Sequence, residues 1–318
     1  MVGIAVSDWD IDGLASGSIL KDLGLIEEII IPPIGEYWLS DLIMDVVSEY
    51  DEIYFLDYIP SKRTLDALSW KSRIYIFDHS FYCPANSKSI KSYCRESPST
   101  TFLLMEYFNL DPDIKILLGL VNDLGSFFSR YREFEIFIPV IEENNIDLDE
   151  LVDLIKLLNS PLYFSDILLL YENLLIIEQN TISKNYIKSL DKRIKYIEML
   201  ENVISSLLES VKVCDKYSYL EYKGDLYLIR KLPVAVYRKT GYPSIVIDSG
   251  FFTDYFQIAS YCPTCDFRDL IINLRDEGFV AGGSESFVGI VIDKSEDIET
   301  FLDKIKYELS KGFHGSSG

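Results

Sequence analysis

The chain has 318 residues, 48% of them apolar, and its 51 acidic residues against 30 basic ones give a formal charge of −21. That length and apolar content sustain a substantial core and suit two domains. The charge excludes general electrostatic attraction to nucleic acid, so such binding would need a local basic groove, bound metals or a partner protein; no apolar run reaches the roughly 18 residues of a membrane span.

In chain order, Val2 to Val6 reads as a short strand and Leu14 to Leu23 as the helix crossing back over a parallel sheet. Between them lie Asp8, Asp10, Asp12 and Gly13. Carboxylates a few ångströms apart repel and titrate upward, and a hard divalent ion such as Mn2+ or Mg2+ relieves this. A calcium loop starting at Asp8 would require Glu at its twelfth position, where Ile19 stands, and a helix before it. Ile53 to Leu56 then runs into Asp57, and Arg73 to Phe77 into Asp78-His79-Ser80. The apolar Ile114 to Val121 reads as a further strand, running into Asn122-Asp123 and a turn at Gly125. Any one of these acids can be a helix N-cap or a turn residue. Four acidic sites at the ends of successive strands point to one shared site. Of the two histidines, His314 lies in a Gly/Ser-containing tail, whereas His79 sits beside Asp78 and is the candidate ligand.

Ile136 to Leu208 is glycine-free and periodic, which predicts a set of helices. Strand-like runs return at Tyr219 to Tyr222, Leu226 to Arg230, Ser244 to Ile247 and Phe256 to Ser260, with helices near Arg268 to Asp276 and Asp297 to Leu309. The expected fold class is α/β: an N-terminal parallel-sheet domain (1–135), a helical region with a linker helix (136–213), a smaller mixed α/β domain (214–312) and a flexible tail (313–318). Five cysteines without a secretion signal fit a reducing cytoplasm. Cys262 and Cys265 are spaced like half a zinc knuckle or a redox pair, but no second pair completes a zinc site, and packing or a disulfide is the simpler expectation.

These motifs resemble those of the DHH phosphoesterases, and within them the RecJ-like branch. Asp8, Asp10, Asp12 and Gly13 match the family's Asp-x-Asp-x-Asp-Gly; Asp57 matches its second motif; Asp78 and His79 match two of the three residues of Asp-His-His, with Ser80 in the third place. Asp123-Leu124-Gly125-Ser126-Phe127 matches the fourth motif. Gly282-Gly283-Ser284 to Gly289 has the glycine spacing of the family's associated domain, with Ser284 in place of its histidine. The resemblance implies two divalent ions, Mn2+ more than Mg2+: Asp8 and Asp10 on one, Asp12, His79 and Asp123 on the other, Asp57 bridging, and Asp78 supporting from behind. It implies catalytic roles for Asp10, Asp12, Asp57, His79 and Asp123, and substrate contacts from Ser80, Gly282, Gly283 and Ser284, with Arg268 or Arg275 standing in for an arginine absent from the stretch around Ser260. The implied activity is that of an exonuclease or small phosphodiesterase on single-stranded DNA or RNA or short oligonucleotides. The two serines and the acidic surface keep open a second implication, a catalytically weakened replication factor that binds GINS and the MCM helicase.

Overall fold

The computed structural model describes residues 3–182 and 187–312; His314 and the tail 313–318 lie outside the described residues. The chain divides into two compact units, Met1–Ile197 and Glu198–Gly318.

The first unit is wound on a five-stranded sheet. Strand β1 (Gly3–Ser7) leads to helix α1 (Ile11–Asp22), followed by β2 (Ile26–Ile30), α2 (Asp41–Val47), β3 (Glu52–Leu56), α3 (Lys62–Leu68), β4 (Arg73–Asp78) and β5 (Ile90–Cys94). The order is β2-β1-β3-β4-β5 and every pairing is parallel. Parallel strands covered on both faces read as unbroken apolar runs, and β1 is buried throughout. Helices α4 (Thr100–Phe108) and α5 (Ile114–Leu124) follow, then a 3-10 turn (Gly125–Arg130), α6 (Phe134–Glu143), α7 (Leu148–Asn159) and α8 (Ile167–Glu178). Helix α1 is buried from Ile11 to Leu20 and packs against α4, α5 and α8, with α7 on α5. Helix α9 (Leu190–Glu209) runs across the boundary between the units.

The second unit has a six-stranded mixed sheet in the order β10-β11-β9-β8-β7-β6. Its elements are β6 (Lys212–Val213), β7 (Ser218–Tyr222), α10 (Leu232–Thr240), β8 (Ser244–Asp248), β9 (Tyr255–Tyr261), α11 (Arg268–Asp276), β10 (Val280–Ser284), β11 (Phe287–Asp293) and α12 (Ile298–Gly312). Only β7 and β8 pair in parallel; the other pairings are antiparallel. Cys262 and Cys265 form a disulfide. Among the described residues, no helix is long and apolar enough to cross a membrane.

The expected α/β class is observed, with two elements corrected. Ile114 to Val121 is not a strand but most of α5, capped by Asp113, whose side chain accepts from Ile116 N at 2.9 Å. Lys115 to Val121 is buried throughout, and so short and nearly continuous an apolar run reads as well as a buried strand as a buried helix. Leu226 to Arg230 is also no strand: Leu228 N donates to Leu226 O and Lys231 N to Leu228 O, so the segment turns into α10. Its apolar residues Tyr227, Leu228 and Ile229 are buried without pairing in the sheet. The sequence suggests no element at β2, α2, α3, β5, α4, β6, α10, β10 or β11.

Candidate metal centre

Register explains why three strand ends meet. Ser7 lies beside Leu56, and Leu56 beside Phe77, so the residues that follow emerge together at the carboxyl edge. Asp8 N donates to Leu56 O at 3.0 Å and Asp57 N to Phe77 O at 2.9 Å, which carries the pairing one residue beyond the strands. Trp9 turns inward, fully buried, with Nε1 donating to Pro32 O at 2.6 Å and its ring against Tyr37 and Tyr58. Asp10 is the N-cap of α1, accepting from Asp12 N at 3.1 Å and Gly13 N at 3.3 Å. Capping and metal ligation are compatible here, because a carboxylate has two oxygens.

Gly13 has a steric cause. A Cβ there would stand 2.8 Å from Asp8 O and 2.9 Å from Asp8 N, so only glycine lets α1 start this close to the strand end. Asp57 takes up the left-handed backbone, φ 54°, which Asp tolerates better than most residues and which bends the chain at the site.

The side chains fall into two groups, Asp12 with His79 and Asp123, and Asp8 with Asp10 and Asp57; in each, one ligand atom of every residue lies within 4.8 Å of the others. His79 Nε2 stands 3.4 Å from Asp57 Oδ1 and 3.5 Å from Asp123 Oδ2, so Asp57 borders both groups. On its other side, His79 Nδ1 faces Ser97 O at 3.3 Å. With the Nδ1 hydrogen held there, Nε2 faces the carboxylates, donating to them when the ring is protonated and, once deprotonated, able to offer its lone pair to a bound cation. Asp123 arrives from the last turn of α5 rather than from a strand, its side chain 18% exposed.

Burial, followed by mutual repulsion, pushes Asp57 and Asp123 well above the usual carboxylate range; Asp12 is also raised, chiefly by burial. Burial works against charge on His79, yet Asp123, Asp12 and Asp78 together outweigh it and push the imidazole up to about 9. The two groups together hold five carboxylates and one imidazole. An oxygen-rich donor set with one nitrogen fits hard to borderline divalent ions, Mg2+ and Mn2+ among them.

Three residues escape a reading of the sequence. Thr100 N donates to Asp12 Oδ2 at 2.6 Å and Thr101 N to Asp12 Oδ1 at 3.0 Å, so the start of α4 grips both oxygens of Asp12. Thr100 Oγ1 also donates to Asp57 Oδ1 at 2.9 Å. Gly119 in α5 faces the same carboxylate: a Cβ would lie 2.1 Å from both Asp12 Oδ1 and Thr101 Oγ1. Ser99 caps α4 by accepting from Phe102 N at 3.1 Å, so a Ser-Thr-Thr start before an apolar run was the available signal.

The remaining predicted residues are placed as follows. Asp78 Oδ1 accepts from Ser80 N at 2.7 Å, closing the turn after β4, and Ser80 Oγ donates to Tyr82 O at 3.3 Å. Gly282, Gly283 and Ser284 belong to β10 in the second unit. Gly283 has φ 141°, and a Cβ there would meet Phe287 O at 2.1 Å, which admits only glycine. The Arg275 guanidinium lies beside Gly282 while its Nε donates to Ala281 O. Arg268 instead pairs with Asp266 and Glu285, each at 2.7 Å.

No family model matches the chain, and no curated protein matches its sequence. Among solved structures it is similar to exonuclease RecJ bound to manganese, with TM-score 0.59 and 14% identity over 99% of this chain and 92% of that one. It is also similar to RecJ from Thermus thermophilus in complex with Mn2+, with TM-score 0.60 and 13% identity over 98% of this chain but 52% of that one, about half its length. CDC45 from Entamoeba histolytica is a third similar structure, with TM-score 0.50 and 13% identity over 99% of this chain and 96% of that one.

Proposed function

The chain has the RecJ-like DHH fold, and on that premise we propose that it is a two-metal phosphodiesterase, an exonuclease acting on single-stranded DNA or RNA or on short oligonucleotides. The observation that carries this reading is the convergence of Asp8, Asp10, Asp12, Asp57, His79 and Asp123 at one sheet edge. Burying that many acids together is costly, and a divalent cation offsets the cost.

Asp8, Asp10 and Asp57 would hold one ion and Asp12, His79 and Asp123 the other, with Asp57 between them. Two ions held there, Mn2+ preferred to Mg2+ because one donor is an imidazole, would supply a water of lowered pKa and positive charge at the phosphate. Asp12 keeps its orientation through the Thr100 and Thr101 amides, and His79 through Ser97. Asp78 braces the segment that carries His79. Ser80, Gly282, Gly283 and Ser284 contact the substrate phosphates, and the second unit serves as the DHH-associated, substrate-binding domain.

A second reading rests on Ser80 and Ser284, which stand where the family places histidines: a replication factor that binds GINS and MCM while turning over slowly or not at all. The fold likeness to CDC45 is compatible with it. The deciding experiment is Mn2+-dependent cleavage of end-labelled single-stranded DNA and RNA, from long strands to dinucleotides, beside an Asp10→Ala/Asp12→Ala control. Cleavage lost in the control supports the enzyme. Intact substrates despite bound Mn2+, together with capture of GINS or MCM, would move the assignment to the replication factor.

A further inference from the structure

The 3-10 turn Gly125–Arg130 follows Asp123 at once and has an unusual composition for this chain. Residues 124 to 132 contain Arg130 and Arg132 and no acid, in a protein whose net charge is −21. The turn is anchored by Phe128, fully buried with its ring against Phe134 and Phe137. Its neighbour Phe127 points the other way, 60% exposed, with the Arg130 guanidinium over its ring at 5.1 Å from the centroid. Tyr131 beside them is 43% exposed. Arg73, Arg95, Arg193 and Arg268 engage carboxylates, whereas Arg130 lies over an aromatic face.

A large ring held out in water has a hydrophobic cost that anchoring the turn does not require, since Phe128 already does that. An exposed aromatic ring with a guanidinium against it is an arrangement that binds single-stranded nucleic acid, with the ring taking a base and the cation the backbone. Phe127 is four residues from Asp123, a span of at most about 14 Å even when fully extended, so it falls within reach of the nucleotides next to a phosphate at the metal centre.

We propose that Phe127 and Arg130 form a base-stacking subsite for single-stranded nucleic acid beside the candidate metal centre, with Arg132 contacting the adjoining phosphate. This deepens the reading above and rests on it for the nature of the ligand. It also answers the charge problem: a chain that repels polyanions overall meets one through a short local patch.

The test is fluorescence anisotropy of the full-length protein, with chelator present so that nothing is cleaved, against a single-stranded oligonucleotide and an abasic oligomer of the same phosphate length. Phe127→Ala and Phe127→Leu are expected to weaken binding of the normal strand about 5- to 100-fold and to leave the abasic strand unchanged. Phe127→Trp restores or improves binding, and Arg130→Gln weakens both ligands. Melting temperature and Mn2+ affinity stay at wild-type values in all four variants. Wild-type binding that is equal for the two ligands, or undiminished in Phe127→Ala, would overturn the subsite while leaving any Mn2+-dependent cleavage intact. A wild-type protein that neither binds nor cleaves any oligonucleotide would overturn both the subsite and the function proposed above.

Discussion

Gly119 shows how one absent methyl group sets the geometry of a charged site. Its missing Cβ leaves room for Asp12 Oδ1 and Thr101 Oγ1, and alanine would place a carbon 2.1 Å from each. Relief requires α5 to move, and α5 carries Asp123. Gly119→Ala is therefore expected to cost about 1–3 kcal/mol through overpacking and to weaken Mn2+ binding by at least about tenfold. Gly224→Ala, where a Cβ meets nothing within 4 Å, is the control. Equal melting temperatures and equal Mn2+ titrations for the two variants would refute the argument. Such a glycine has no sequence signature: the run Leu117-Leu118-Gly119-Leu120 says only that a small residue interrupts apolar ones. Gly13 is legible because three aspartates lead into it.

Two elements illustrate what local pattern conveys. The amphipathic α7 and α11 carry their apolar face in their spacing, and the pattern of Arg268 to Asp276 matches its helix to the residue. In helix α5 the run Ile114 to Val121 is short and almost entirely apolar, which suits a buried strand as well as a helix, and the strand reading assigns Asp123 to a strand end. The acid meets its partners all the same, since a helix end and a strand end can both reach one sheet edge. Helix α8 offers a test of capping and charge together. Its N-cap Asp166 accepts from Leu169 N at 3.4 Å, Lys192 Nζ at 2.5 Å and Tyr196 Oη at 2.9 Å. Burial alone would raise this carboxyl, but the bonds from Lys192 and Tyr196 hold it below its ordinary value of 3.8. A lowered pKa stabilises the fold above the ordinary value, and that contribution is lost as pH falls through the folded-state value. Asparagine caps equally well but carries no charge, so Asp166→Asn is expected to be less stable than wild type in urea at pH 7, with the gap narrowing as pH falls below 3.8. A gap that does not narrow as pH falls below 3.8 would show that the charge is not the cause.

At the scale of the molecule, the acidic surface and the buried acids have separate consequences. Binding of a divalent ion to the folded state alone stabilises by about 2.7 kcal/mol at 100 times its Kd, which corresponds to roughly 5–10 °C in melting temperature for a unit of this size. Mn2+ should therefore raise the melting temperature, EDTA should reverse the rise, and Asp10→Ala/Asp12→Ala should abolish it. Because the ligands must shed protons to bind, the rise should be smaller at pH 5.5 than at pH 8. No Mn2+-dependent shift at either pH would remove the metal centre from the account. If two arginines carry the phosphate contacts, binding of a single strand should fall with salt at a log–log slope of about −1.4. A slope several times steeper would require a larger basic surface than the segment 124–132 offers.

The sequence by itself determined the α/β class, the strand ends bearing Asp8, Asp57 and Asp78, and the set of acids with His79, because strand period and local motif depend only on neighbours in the chain. Only the tertiary structure decided that α4 amides orient Asp12, that Asp123 comes from a helix, and that Phe127 faces water while Phe128 is buried. Those features depend on contacts between residues as far apart as Asp12 and Thr100, which no local spacing encodes.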